Sequence, residues 1–273
     1  MKRLLSQMIA ATAFGALLAG AQPIRIRGSD TLGARAMPQL VERYKVSNRE
    51  VRFEISAEGS TQGFKAFLDG RTDIGMSSRE MTAEEEKQFT DRGIVLSRWQ
   101  VATDPFVIVV NADNPVAQLT ARQVESIFTG DVKDWSEVGG RPGQINLHLR
   151  NSASSSYGDF RRIALGGRAY GKTKFSLSGA DLPSLAVAKD GGGITWIALA
   201  YTKTTGIRVL KIDGHPQVGE GAASYPYLRK LWCFTSQPSG TPAHDFLKWI
   251  TTSAEAADVL RKTGYLVPDR KTD

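Results

Sequence analysis

The 273-residue sequence has one cysteine, three histidines and no long apolar segment beyond its first 21 residues. A lone cysteine cannot form an internal disulfide, so Cys233, within an apolar run, is predicted to be a small buried side chain. His148, His215 and His244 do not have a metal-ligand spacing, so no metal site is predicted, and no cofactor. The apolar segments are too short to span a bilayer.

The sequence also lacks a stripe of basic residues. Its net charge is +7, but the basic residues are dispersed, as in Arg25 and Arg27, without interleaved aromatic residues. This pattern argues against a nucleic-acid partner. It is more consistent with a general attraction for small anions.

Catalytic signatures are missing as well. There is no G-x-S-x-G and no S-x-x-K motif. Residues 166–173 (GGRAYGKT) fit the phosphate-loop pattern, but a predicted helix precedes them and no helix follows, so a nucleotide site is not predicted. A serine hydrolase would need His and Asp near Ser60 or Ser154, which the sequence leaves open.

Residues 1–21 have the pattern of a signal peptide. Lys2 and Arg3 precede the apolar residues 8–18, and residues 19–21 read A-G-A, a cleavage site. Removal of Lys2 and Arg3 would lower the net charge from +7 to +5. The sequence therefore predicts an exported, periplasmic protein.

Strands and helices alternate along the rest of the chain, which predicts an α/β fold with parallel crossovers. Residues 24–27, 51–55 and 105–110 are predicted strands. Thr120, with Gln123 three residues later, predicts a capping box at the start of a helix.

Small hydroxyl residues follow predicted strands and precede predicted helices at three places, residues 28–31, 59–61 and 154–156. Helix starts carry unpaired N–H groups and the positive end of the helix dipole. Each place taken alone is compatible with ordinary capping. Together, and with Arg150 just before the third, they indicate helix starts that could converge on one anion.

These segments resemble the periplasmic phosphate-binding proteins of phosphate ABC importers. Residues 119–140 (LTARQVESIFTGDVKDWSEVGG) carry the strongest similarity, and residues 28–31, 58–61, 73–79, 150–160 and 264–265 add to it. The resemblance covers nearly all of residues 24–268. It implies a two-lobed periplasmic-binding-protein fold of type II, with mixed sheets flanked by helices and two hinge strands. Lobe one would be residues 22–106 plus 229–273, and lobe two residues 107–228.

The resemblance also implies the binding residues. They are Asp30, Thr31, Ser60, Ser78, Arg150, Ser154, Ser155 and Ser156.

Two departures from the family affect selectivity. The family often has a proton-accepting Asp at the position of Ser78, and it has threonine at the position of Asp30. One hypothesis is that Asp30 accepts the proton of phosphate instead, since a carboxylate is only an acceptor. The alternative is that Asp30 is the N-cap of the next helix. Ser155 stands where the family has glycine.

The leading expectation is a non-enzymatic, monomeric receptor that captures inorganic phosphate and delivers it to a membrane ABC permease. The alternatives are a stand-alone phosphate sensor, a receptor for sulfate or molybdate, and an exported phosphatase. Trp135 and Trp196 are predicted core residues. Arg79 is predicted to pair with Glu84 or Glu85 on the surface, and the alternative is that it points at the cleft.

Overall fold

The computed structural model describes residues 22–152, 154–177 and 181–268, so the predicted signal peptide lies outside the described residues. The strands are β1 (Ile24–Gly28), β2 (Phe53–Ala57), β3 (Ile74–Ser77), β4 (Ser97–Asn111), β5 (Gln118–Leu119), β6 (Asn146–Arg150), β7 (Phe175–Leu177), β8 (Gly193–Ala198), β9 (Ile207–Val209), β10 (Lys211–Ile212) and β11 (Leu228–Thr235). The α-helices are α1 (Asp30–Gly33), α2 (Ala36–Lys45), α3 (Ser60–Leu68), α4 (Ala83–Asp91), α5 (Ala121–Thr129), α6 (Ser155–Ala164), α7 (Leu182–Ala188), α8 (Pro242–Thr252) and α9 (Ala254–Lys262).

A mixed sheet runs through the molecule in the order β2-β1-β3-β11-β4-β8-β6-β7, and β9 also pairs with β4. At one end β1 pairs in parallel with β2 and β3, and at the other β6 pairs in parallel with β7 and β8. The central pairs β3–β11, β11–β4 and β4–β8 are antiparallel. The α/β class is as predicted, but the parallel crossovers are confined to the two ends of the sheet.

The long strand β4 changes its pairing partner midway. Its first part, up to Pro105, pairs with β11, and from Phe106 onward it pairs with β8. Pro105 has no N–H to donate, and it stands where the partner changes. The backbone N–H of Phe106 donates to the carbonyl of Tyr227 (2.9 Å), just before β11 begins. The two chain crossings between the halves of the sheet therefore lie side by side.

A separate hydrophobic core lies on each side of this crossing. The first packs helices α2, α8 and α9 against β1 and β3, with Leu40, Ile74 and Phe246 fully buried. The second packs α5 and α6 against β6 and β8, with Phe128 and Phe160 fully buried. Two smaller apolar clusters, one around Phe64 and Phe234 and one around Val107 and Val109, complete the burial of the continuous sheet.

Local signals in the sequence explain several element boundaries. Helix α5 begins with the predicted capping box, because Thr120 accepts from the N–H of Gln123 and the side chain of Gln123 accepts from the N–H of Thr120. The second strand begins at Phe53 rather than at residue 51, since its pairing with β1 starts at the Ile24–Phe53 register. Residues 166–173 connect α6 to β7, the reverse of the strand-to-helix order of a nucleotide loop.

The remaining sequence predictions concern single side chains. Cys233 is fully buried in the first core, as predicted. Arg79 forms two hydrogen bonds to Glu85, at 2.7 and 2.8 Å, which confirms the predicted pair, but both side chains are half-buried rather than on the open surface. Within the described part of the chain, no helix is long and apolar enough to cross a membrane. The same residues contain no group of three or more His, Cys, Asp or Glu side chains that could hold a metal ion.

Candidate functional site

A cavity of about 240 Å³ lies at the junction of the two halves. Its walls come from the turn after β1, the crossing strands β4 and β11, the end of β6 with the start of α6, and the chain after β8. The lining residues are Asp30, Thr31, Ala34, Arg35, Asp104, Phe106, Arg150, Ser154, Ser156, Trp196, Ile197, Ala198, Tyr201, Arg229 and Tyr265. Five of the eight residues predicted for the site are among them.

The turn after β1 brings Asp30 and Thr31 to the cavity. Gly28 makes this turn possible, since its φ is +133° and a Cβ there would lie 2.2 Å from the carbonyl oxygen of Met76. The hydroxyl of Tyr265 donates to the carbonyl of Thr31 at 2.6 Å and holds the turn against the C-terminal segment. The N-cap of α1 is Ser29, and Asp30 is the first helical residue. The capping alternative for Asp30 is therefore wrong as stated.

The opposite wall contains Arg150, Ser154 and Ser156. Arg150 is the last residue of β6, and Ser154 is the N-cap of α6, where its side chain makes no capping bond. Arg150 is half-buried, its Nε has no hydrogen-bond partner, and no carboxylate among the described residues pairs with it. The side chain of Ser155 lies outside the described set. An arginine without a counter-charge beside hydroxyls at a helix start is suited to an oxyanion.

Ser60 and Ser78, also predicted for the site, do not belong to the cavity lining. Ser60 begins α3, and its hydroxyl accepts from the N–H of Ser78 at 3.0 Å. The two hydroxyls are 3.4 Å apart, and Ser78 is 2% exposed. In this conformation the two serines link the end of β3 to the start of α3 through hydrogen bonds to each other.

Sequence reasoning missed a buried ionic network in the cavity wall. Arg229, on β11, donates to Asp104 on β4 at 2.5 Å, to Asp159 on α6 at 2.9 Å and to the hydroxyl of Ser156 at 3.3 Å. Burial opposes the charge of Arg229, but the two carboxylates raise its pKa. A charged residue inside each apolar strand, Asp104 before Pro105 and Arg229 after Leu228, was the signal available in the sequence.

This network has a consequence for Ser156. A guanidinium can only donate, so the Ser156 oxygen accepts from Arg229 and its own proton is directed elsewhere. Because Ser156 lines the cavity, that O–H can donate to a ligand. Asp104 and Asp159 more than offset the charge of Arg229, and Asp159 also lies 3.5 Å from Arg162.

Aromatic side chains form much of the remaining wall. Trp196 is 3% exposed and packs in the second core, as predicted for a core residue, but it also lines the cavity. The guanidinium of Arg229 lies over the ring of Phe106, with 4.7 Å between its Cζ and the ring centroid. Tyr201 and Tyr265 contact Arg35. Tyr265 belongs to a segment that carries the family resemblance, whereas Tyr201 and Arg35 were not singled out from the sequence.

The chain belongs to the PBP superfamily, because the family model for the PBP superfamily domain matches residues 17–255. It is 28% identical over 254 residues to the phosphate-binding protein PstS of Bacillus subtilis, covering 89% of this chain and 82% of the relative. It is 29% identical over 268 residues to PstS of Pseudomonas aeruginosa, covering 88% and 81% of the two chains.

Solved structures agree with this assignment. A putative phosphate ABC transporter substrate-binding protein from Clostridium perfringens, with bound phosphate, is 25% identical with a TM-score of 0.72 and covers 90% of this chain and 99% of its own. An ABC-type phosphate transport receptor from Vibrio cholerae has a TM-score of 0.76 at 22% identity, covers 90% of this chain and 100% of its own, and supports the fold. The resemblance to PstS-like substrate-binding proteins and the predicted fold class are confirmed.

Proposed function

We propose that this protein captures inorganic phosphate in the cavity between its two halves and delivers it to an ABC importer. The observation that carries the proposal is Arg150, which lines the cavity beside Ser154 and Ser156 and has no described carboxylate partner. The similarity to phosphate-binding PstS proteins supports the same ligand. The protein would act outside the cytoplasm, as a monomer, with a membrane permease as its partner.

We propose two lobes that follow the sequence boundaries, residues 22–106 with 229–273 and residues 107–228. The change of pairing at Phe106 and the start of β11 at Leu228 support these boundaries. Asp30 and Thr31 would then contact phosphate from lobe one, and Arg150 with the serines of α6 from lobe two. A ligand that bonds to both lobes favours the closed state, since only that state forms both sets of bonds.

Ser60 and Ser78 are proposed to belong to the phosphate site in the closed state. Ser60 begins α3 at its N-terminus, where its hydroxyl could exchange its bond to Ser78 for one to phosphate. The backbone N–H of Ser155 is proposed as a donor to phosphate, because Ser155 lies in the first turn of α6.

Binding rather than catalysis is the proposed activity. A serine nucleophile needs an adjacent base, and none of the three histidines lines the cavity. His148 instead bonds Asp190 at 2.8 Å, inside lobe two as proposed.

The test is calorimetric titration of refolded, ligand-stripped protein with phosphate and, separately, with sulfate. Stripping is needed because a tight receptor can be purified already loaded. Arg150→Gln should weaken phosphate binding at least about tenfold, since a hydrogen bond to a charged group is worth about 1.5–3 kcal/mol. The exposed Arg141, in the same proposed lobe, gives the matched control Arg141→Gln. Equal affinities in the two variants, or no phosphate binding by the unmodified protein, would refute the proposal.

A further inference from the structure

Arg35 is a cation in the cavity wall that the sequence motifs do not include. It is the N-cap residue of α2, directly after the turn that carries Asp30 and Thr31. It is half-buried, and it belongs to the first half of the molecule, whereas Arg150 belongs to the second.

The guanidinium of Arg35 is held by aromatic faces. Its Cζ lies 5.2 Å from the ring centroid of Tyr201 and 6.0 Å from that of Tyr265. Contact with the face of an aromatic ring orients a guanidinium, and it leaves the N–H groups in the plane of the guanidinium available for hydrogen bonds. Tyr265 is itself fixed by its bond to Thr31, so the cation has a defined place in the wall.

The side-chain donors of Arg35 have no acceptor among the described residues. Among residues 22–152, 154–177 and 181–268, its side chain forms no hydrogen bond and no ion pair. Of the other arginines in the lining, Arg229 is paired with Asp104 and Asp159, whereas Arg150 has no carboxylate partner among the described residues. Within the described part of the chain, the cavity lining therefore has two arginines without an ion pair, one from each half of the molecule.

We infer that Arg35 is a second anion-binding arginine, which contacts the oxyanion from the wall opposite Arg150. The inference rests on the proposed function and adds a residue and a ligand preference to it. Two guanidiniums on opposite walls favour a doubly charged tetrahedral oxyanion over a singly charged anion. Because Tyr201 comes from the second half, its contact with Arg35 also joins the two walls at the cavity.

The experiment measures phosphate affinity in Arg35→Gln, Arg35→Lys and Arg52→Gln. Arg52 is an exposed arginine of the same half, next to β2, so its replacement removes the same charge without touching the cavity. We expect Arg35→Gln to weaken phosphate binding about tenfold to a hundredfold, the range for a lost hydrogen bond to a charged group. Arg35→Lys should recover part of the loss, and Arg52→Gln should change affinity less than about twofold.

Thermal unfolding without phosphate separates a binding role from a structural one. Arg35→Gln should unfold close to the temperature of the unmodified protein, and only the upward shift produced by added phosphate should shrink. Equal phosphate affinity in Arg35→Gln and Arg52→Gln overturns the inference while leaving the proposed function intact. Failure of the unmodified protein to bind phosphate overturns both.

Discussion

Arg229 and Asp104 form an ion pair between the two strands that cross from one half of the molecule to the other. The Nη2–Oδ2 distance is 2.5 Å, and the side chains are 3% and 2% exposed. Through Asp159, on α6, the same guanidinium connects these strands to the helix that begins at the cavity. The ion pair thus helps to hold the crossing strands and the start of α6 in place at the cavity.

Removal of Arg229 should be strongly destabilising. Arg229→Met leaves Asp104 buried without its cation and leaves Asp159 with only the contact to Arg162 at 3.5 Å. Breaking such a buried pair costs about 3–5 kcal/mol. Urea unfolding measures the change. Lys87→Ala, which breaks the exposed Lys87–Asp91 pair, is the control and should cost about 0.5 kcal/mol or less. A similar small cost for both variants would show that the buried network does not stabilise the fold.

Asp190 should make the stability of the protein depend on acidic pH. Burial acts to raise the pKa of Asp190, but hydrogen bonds from Lys174, His148 and Asn146 outweigh it and lower the pKa from 3.8 to about 2. A lowered pKa in the folded state gives stability that is present above pH 4 and is lost as the pH falls toward 2.

The measurement is urea unfolding of the unmodified protein and of Asp190→Asn from pH 7 to pH 2. The difference in unfolding free energy should be on the order of 2 kcal/mol at neutral pH and should shrink between about pH 4 and pH 2. A difference that stays constant down to pH 2 would contradict the role given to the charge of Asp190.

Cys233 should be unreactive in the folded protein. It is fully buried, and burial raises the pKa of its thiol from 9.0 to about 12, so almost none of the reactive thiolate is present at neutral pH. A thiol-reactive dye should label the protein in high urea and not in buffer. Rapid labelling of the native protein would show that the first core opens readily.

Gly28 should be difficult to replace, and Gly158 easy. Gly28→Ala would place a Cβ 2.2 Å from the Met76 carbonyl at a φ of +133°, and backbone strain alone is worth about 1–3 kcal/mol. The variant should be less stable and should bind phosphate more weakly, since Asp30 and Thr31 follow directly. Calorimetry and urea unfolding measure the two effects.

Gly158→Ala is the matched control. A Cβ at Gly158 would meet open space within α6, so alanine should stabilise the helix by about 0.5–1 kcal/mol. If the two alanine variants had the same stability, the strained turn at Gly28 would not be required for the fold.

Asp30 should contribute to discrimination between phosphate and sulfate. A carboxylate can accept the proton of hydrogen phosphate, and sulfate has no proton to donate. Asp30→Ala should therefore bind sulfate relatively better than the unmodified protein does, by about tenfold, if the acceptor is worth about 1–3 kcal/mol. Asp69→Ala, at an exposed position away from the cavity, is the control. Continued rejection of sulfate by Asp30→Ala would refute the hypothesis.

Much of the fold follows from local patterns in the sequence. The capping box at Thr120 and the strand at residues 24–27 depend on neighbours within a few residues, so local patterns predicted them. The motif at residues 119–140 indicated the family. Local patterns did not show that one strand, β4, serves both halves of the sheet, because that depends on distant pairing partners.

The residues of the site also fall into two groups, those with a local signal in the sequence and those that only the fold brings together. Residues next to a turn or a helix start, such as Thr31, Arg150 and Ser154, could be named from the sequence, because hydroxyls and cations at those places have a local signature. Asp104, Arg229 and Arg35 are separated by long stretches of chain, and only the tertiary structure brings them to one cavity. It also decides which arginines have carboxylate partners, since ion pairing depends on distances between residues that are remote in sequence.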